Sequence, residues 1–167
     1  MNRKHMRGIY TVEFAFVGLL VFTLLFGVVE VGRLYFTVNA LDEAVRRGTR
    51  LAAVCAVTPE QQEIILRRAI FNAASDSGTS QLIGNLNTTN LTLSYLDANG
   101  AQVANPSDTT GVNGFRAIRY VQVSLQNYVF NLFIPGFGVP ITLPVVRATL
   151  PRESLGRHSD SGEITPC

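Results

Sequence analysis

One apolar run limits what this chain can become. From Ile9 to Val29 the only charged side chain is Glu13, and as a helix the run is roughly 30 Å long, about one hydrocarbon core. A membrane span follows. Arg3, Lys4 and Arg7 stand just before it, so the positive-inside rule puts the N-terminus in the cytoplasm and the remainder outside. The competing reading is a cleaved signal peptide. The run is longer than a signal h-region, no small-x-small pattern closes it, and it continues directly into Glu30-Val31-Gly32-Arg33, so a retained anchor is expected. The layout is then a basic leader at 1–8, a span at 9–29, an extracytoplasmic continuation of the helix at 30–56, a small domain at 57–150 and a tail at 151–167.

Charge narrows the function classes. The chain has 14 Lys and Arg against 12 Asp and Glu, and taking away the three leader cations leaves 11 against 12. The outer part therefore has no basic footprint for nucleic acid. His5 lies in the leader and His158 in the tail, which leaves no parts for a histidine metal site or a Ser-His-Asp triad in the folded region. P-loop, GxGxxG and GxSxG patterns are missing as well,. No enzyme, no cofactor and no metal are expected.

Beyond the span, Val31, Leu34, Val38, Leu41, Val45, Gly48, Ala52 and Cys55 recur at steps of three and four. One helix from Ile9 to about Ala56 is predicted, amphipathic in its second half. Asp42 with Arg46 and Glu43 with Arg47 are i,i+4 pairs on its polar side,. Tyr35 and Phe36 fall just past the span, where interfacial aromatics are common. Thr58-Pro59-Glu60-Gln61 reads as an N-cap, a first-turn proline and a capping box, opening a second helix that ends at Ser75 to Gly78,. A loop, with a short helical turn around Leu82, leads to a strand from Leu91 to Tyr95, a turn at Asp97 to Gly100 and a short return strand at Ala101 to Ala104,. Ala117 to Gln126 is expected to be a central strand, and Ile141 to Leu150 a further one with Pro144 at an edge or bulge,. The fold class is α+β: a long helix, a short helix and a small antiparallel meander. Phe130 to Phe137 forms an apolar loop, expected to bury in its own domain or to touch a partner,. Cys55 and Cys167 allow one intramolecular disulfide, against a buried free thiol and a loose terminal one,.

Glu13 is the one residue in the span that invites a functional reading, because a carboxylate in hydrocarbon is costly. At one turn in, it could simply snorkel to the headgroups. If the chain is cut after Gly8, however, Ile9 gains a cationic α-amino group that Glu13 can answer, within a chain or between neighbours. Gly8, Glu13 and Phe14 ahead of an apolar helix resemble the type IV prepilins. Arg7-Gly8, Val12-Glu13-Phe14-Ala15, Phe26 to Arg33, and then Ala40, Ala44, Arg46, Gly48 and Arg50 are similar to the TadE-like pseudopilins of the tight-adherence (Tad, or Flp) pilus. The mid-span proline common in such proteins is here Leu19. The resemblance implies a type IV pilin-like fold in the bacterial inner membrane, cleavage between Gly8 and Ile9 by prepilin peptidase, and Glu13 and Phe14 acting in assembly. It implies lateral helix packing eased by Ala15 and Gly18, with other pilins, the assembly platform and the lipid bilayer as partners. The other reading is an unprocessed single-span protein that presents a small binding domain in an envelope complex.

Overall fold

The computed structural model describes residues 3–133, 138–158 and 160–167, with side chains from Tyr10 onward. It divides into two compact units, Met1–Phe36 with Phe130–Ile141, and Thr37–Val129 with Thr142–Cys167. Helix α1, Arg3–Val54, contributes to both. It is one unbroken helix of 52 residues and starts within the leader rather than at Ile9. With leucine at position 19, nothing removes a backbone donor there to kink it.

In the second unit the later turns of α1 supply the core. Leu41, Ala44, Val45, Ala52 and Cys55 are buried, along with Ala40 and Thr37. Gly48 permits a close approach: a Cβ there would lie 3.0 Å from the Ala69 Cβ and 3.6 Å from the Val123 methyls. Of the two expected ion pairs, Asp42 holds Arg46 at 2.8 Å, whereas Arg47 lies over the Phe71 ring, 5.6 Å from its centroid.

Helix α2, Pro59–Ala69, begins as expected, with the Thr58 hydroxyl accepting from the Gln61 N–H at 3.3 Å. The capping box is only half made. The Gln61 side-chain oxygen accepts instead from the Cys167 N–H at 3.0 Å. The helix also stops before the predicted Ser75 to Gly78. Phe71 takes the left-handed conformation, φ 67, and the Asn72 N–H reaches back to the Arg67 carbonyl while the Phe71 N–H reaches Arg68. That is a Schellman closure with phenylalanine in the place usually held by glycine. The following loop is organised by buried Asn72, which donates to the Gly78 and Thr79 carbonyls and accepts from the Gln81 N–H. Its one helical turn is a 3₁₀ turn at Thr88–Asn90, not around Leu82.

Strands β1 (Leu91–Leu96), β2 (Tyr120–Leu125) and β5 (Val146–Pro151) form an antiparallel sheet in the order β1-β2-β5. β2 is central, and Val121, Val123 and Leu125 alternate into the core. The expected return strand after Gly100 shrinks to a single bridge, Leu96 to Gln102. The meander is broken by a separate two-stranded sheet of β3 (Val129–Asn131) and β4 (Pro140–Thr142). Pro144 lies between β4 and β5, outside any strand, because it cannot donate to a ladder,.

Asp108 anchors the long loop before β2. Its carboxylate accepts from the Thr110 hydroxyl at 2.7 Å and from the Thr110 and Gly111 N–H groups at 2.9 and 3.2 Å. These bonds, the hydroxyl's first, hold its pKa below the ordinary 3.8. A lowered folded pKa means the loop is stabilised above the unfolded carboxylate value and loses that contribution as pH falls toward the folded one. Acid titration should therefore shift the Thr110 and Gly111 amide resonances only below about pH 4, and D108N should abolish the response.

Candidate functional site

The first unit presents a helix with no water-compatible face. Tyr10, Val12, Phe14, Phe16, Val17, Leu19, Leu20 and the large apolar side chains onward to Val31 are all exposed, Phe14 at 78%. Such a helix is stable only where lipid or other apolar helices cover it. The described helix is long and apolar enough to cross a membrane. Glu13 and Ala15 are exposed on it, and Gly18 has open space where a side chain would begin. Gly8 and Ile9 fall within α1, but their side chains lie outside the described residues. Residue 13 stands one helical turn from residue 9, close enough for i,i+4 contact.

At the far end of the apolar run is a cluster that sequence reasoning passed over. Glu30 is only 7% exposed. Its carboxylate takes two bonds from the Arg33 guanidinium, 3.1 and 2.7 Å, and one from the Phe133 N–H, 3.3 Å. The Arg33 hydrogen bonds lower the Glu30 pKa, and the loss of hydration opposes them only in part. Arg33 also donates to the Asn131 carbonyl, and its guanidinium lies over the rings of both Phe130 and Phe133, 4.1 and 4.3 Å from their centroids. Each ring gives the cation a negative face. The apolar loop is thus divided: Phe130 is buried and Phe133 is 72% exposed, while Ile134 to Phe137 lie outside the described residues. A signal was available in the sequence, an acid and an arginine three apart just where the charge-free run ends.

The second unit brings Cys55 and Cys167 together as a disulfide. α1 ends at Val54 and is followed by Cys55-Ala56-Val57, with no glycine cap and no basic residue in its last turn, so its final carbonyls need donors from elsewhere. The segment after β5 provides them. The Ala53 carbonyl accepts from the Glu153 and Leu155 N–H groups, and the Val54 carbonyl from the Gly156 N–H and the Ser154 hydroxyl. Leu155 inserts beside Cys55, Val57, Ile65 and Ile118. Among the described residues no group of three or more His, Cys, Asp or Glu side chains is arranged to hold a metal ion.

The apolar helix and the acid within it coincide with a family match. Residues 8–50 match the TadE-like protein family. This TadE-like segment begins at Gly8 and ends four residues before α1 does, so it takes in Glu13, the apolar run and the Glu30–Arg33 pair but none of the sheet. The chain has the long helix, short helix and small antiparallel sheets of an α+β, pilin-like fold. No curated protein and no solved structure matches the chain.

Proposed function

We propose that the chain is a minor pilin of a Tad/Flp pilus, held by residues 9–29 in the bacterial inner membrane with its C-terminal part outside. The carrying observation is a TadE-like segment that starts at Gly8 and runs straight into an exposed apolar helix bearing Glu13. Prepilin peptidase cuts after Gly8, and Ile9 becomes the first residue. Glycine favours that position physically, because it weakens helix locally by about 1 kcal/mol and lets the scissile bond unwind. The new amino group is cationic at neutral pH. When α1 packs among neighbouring pilin helices, Glu13 supplies the opposing charge, Phe14 the adjoining apolar contact, and Ala15 and Gly18 let backbones approach. The role is structural, in an assembly that serves surface adherence.

Intact-mass measurement of the membrane-extracted protein tests the reading. The mature chain should begin at Ile9, and G8L should keep the whole leader while still inserting, since the basic residues and the apolar run are unchanged. A wild-type chain that retains its leader would overturn the assignment in favour of an unprocessed envelope subunit.

E13V should insert and be cut normally but fail to assemble. Leaving one charge of a buried pair uncompensated costs about 3 kcal/mol or more, on the order of a hundredfold in association. Pilus counts by electron microscopy measure this, and wild-type numbers in E13V would reduce Glu13 to a snorkelling carboxylate.

A further inference from the structure

We propose that the described residues flanking the paired strands β3 and β4 make a second membrane contact: Phe133 and Val139 enter the headgroup zone of the leaflet where the α1 span ends. The inference rests on the reading of residues 9–29 as a bilayer span.

Four observations within the first unit carry it. The first is depth. Leu132 lines a groove of about 450 Å³ together with Thr23, Leu24, Gly27, Val28 and Leu34 of α1. Leu24 lies five residues inside the end of the apolar run, about 8 Å along a helix, so Leu132, just after β3, lies alongside the last turns of the span. The second is backbone satisfaction. The Phe133 N–H is taken by Glu30 and the Asn131 carbonyl by Arg33, which meets two of the polar groups that hydrocarbon would leave unpaired.

The third is charge. Glu30 and Arg33 neutralise each other at 2.7 Å, and aromatic rings cover the guanidinium, so neither ion meets lipid alone. The fourth is what remains facing outward. Phe133 is 72% and Val139 62% exposed, and Tyr35 and Phe36 stand exposed on α1 just beyond Arg33. Exposed apolar side chains beside these two satisfied backbone groups, close in sequence to interfacial aromatics on α1, form the kind of surface that lies at an acyl–headgroup boundary,. Leu132, next to Phe133, packs against the same α1 turns whose apolar side chains need a lipid cover, within one unit, which favours lipid over a second copy as the occupant.

The chain contains no tryptophan, so single-tryptophan variants of the full chain report depth cleanly. F133W, V139W, F22W in the span and V112W in the outer unit would each be reconstituted into phosphatidylcholine–phosphatidylglycerol vesicles. Their emission is compared with and without lipids brominated near the carbonyl or near the methyl end of the acyl chain. Tryptophan at 133 keeps an aromatic face for Arg33, and normal Cys55–Cys167 bonding would certify each fold. F133W and V139W should be blue-shifted and lose most of their emission to bromine near the carbonyl, F22W should be quenched most by bromine near the methyl end, and V112W should be quenched by neither. If F22W is quenched but F133W and V139W behave like V112W, these residues do not touch lipid and the proposal falls while the span stands. A blue shift at 133 without quenching would mean a protein neighbour covers this surface, which also overturns it. An unquenched F22W would remove the span reading and this inference with it.

Discussion

Replacing Gly156 with alanine is expected to destabilise the second unit by about 3 to 5 kcal/mol. Gly156 has φ +73, and a Cβ there would lie 2.5 Å from the Ala56 backbone nitrogen and 2.6 Å from its Cα. Two penalties therefore act together. The left-handed conformation costs an ordinary L-residue roughly 1 to 2 kcal/mol, and the Cβ meets main chain, which cannot swing aside as a flexible side chain would. Relief requires the segment to lift away. That breaks the Gly156 N–H bond to Val54 and the Thr165 N–H bond to the Gly156 carbonyl, and it withdraws Leu155, 2% exposed, from the core. Losing that burial accounts for roughly another 1.5 to 3 kcal/mol. Denaturant unfolding of the full chain in detergent measures the total. Hydrogen exchange at the Leu155 and Gly156 amides should accelerate first, and a loss under 1 kcal/mol would show that the turn relaxes without undocking.

The second large effect belongs to the disulfide. Cys55 and Cys167 close a loop with a sequence separation of 112, and the chain-entropy model assigns such a closure about 5 kcal/mol. C167S is the cleaner probe because Cys55 is fully buried and a hydroxyl there would add a desolvation cost of its own. The variant should unfold at markedly lower denaturant while retaining the backbone bonds from Glu153, Leu155 and Gly156 to α1. Combined with G156A, the two losses should sum to less than their separate values, because both free the same segment. Full additivity would mean that the bridge and the glycine turn act on separate parts of the structure.

Where the chain's cues are local, sequence and structure coincide. Thr58-Pro59 opens α2 because a cap acts on the next few amides,. β2 was readable because Val121, Val123 and Leu125 alternate over a buried face,. The misses have long-range or unusual causes. The end of α2 was hidden because Phe71, not glycine, adopts positive φ there. The segment after Pro151 has no periodicity to read, and its fixing contacts lie across about a hundred residues, from Glu153 and Leu155 to Ala53. Of the candidate site, Glu13 stood out as an isolated charge in the apolar run. Glu30 and Arg33 did not, because an i,i+3 pair on a helix is unremarkable until Phe133 arrives to cover it.

The bridge between Cys55 and Cys167 has a mechanical meaning. A pull transmitted along α1 passes through the second unit's core from Thr37 onward and, just past the helix end, reaches Cys55, which is covalently tied to Cys167. With the bridge closed, tension passes across two side chains, and the intervening polypeptide, on the order of 380 Å of contour if drawn straight, stays slack. Under the role in a fibre proposed above, the bond then acts as a limiter on extension. A reduced subunit would lengthen under loads that an oxidised one transmits stiffly.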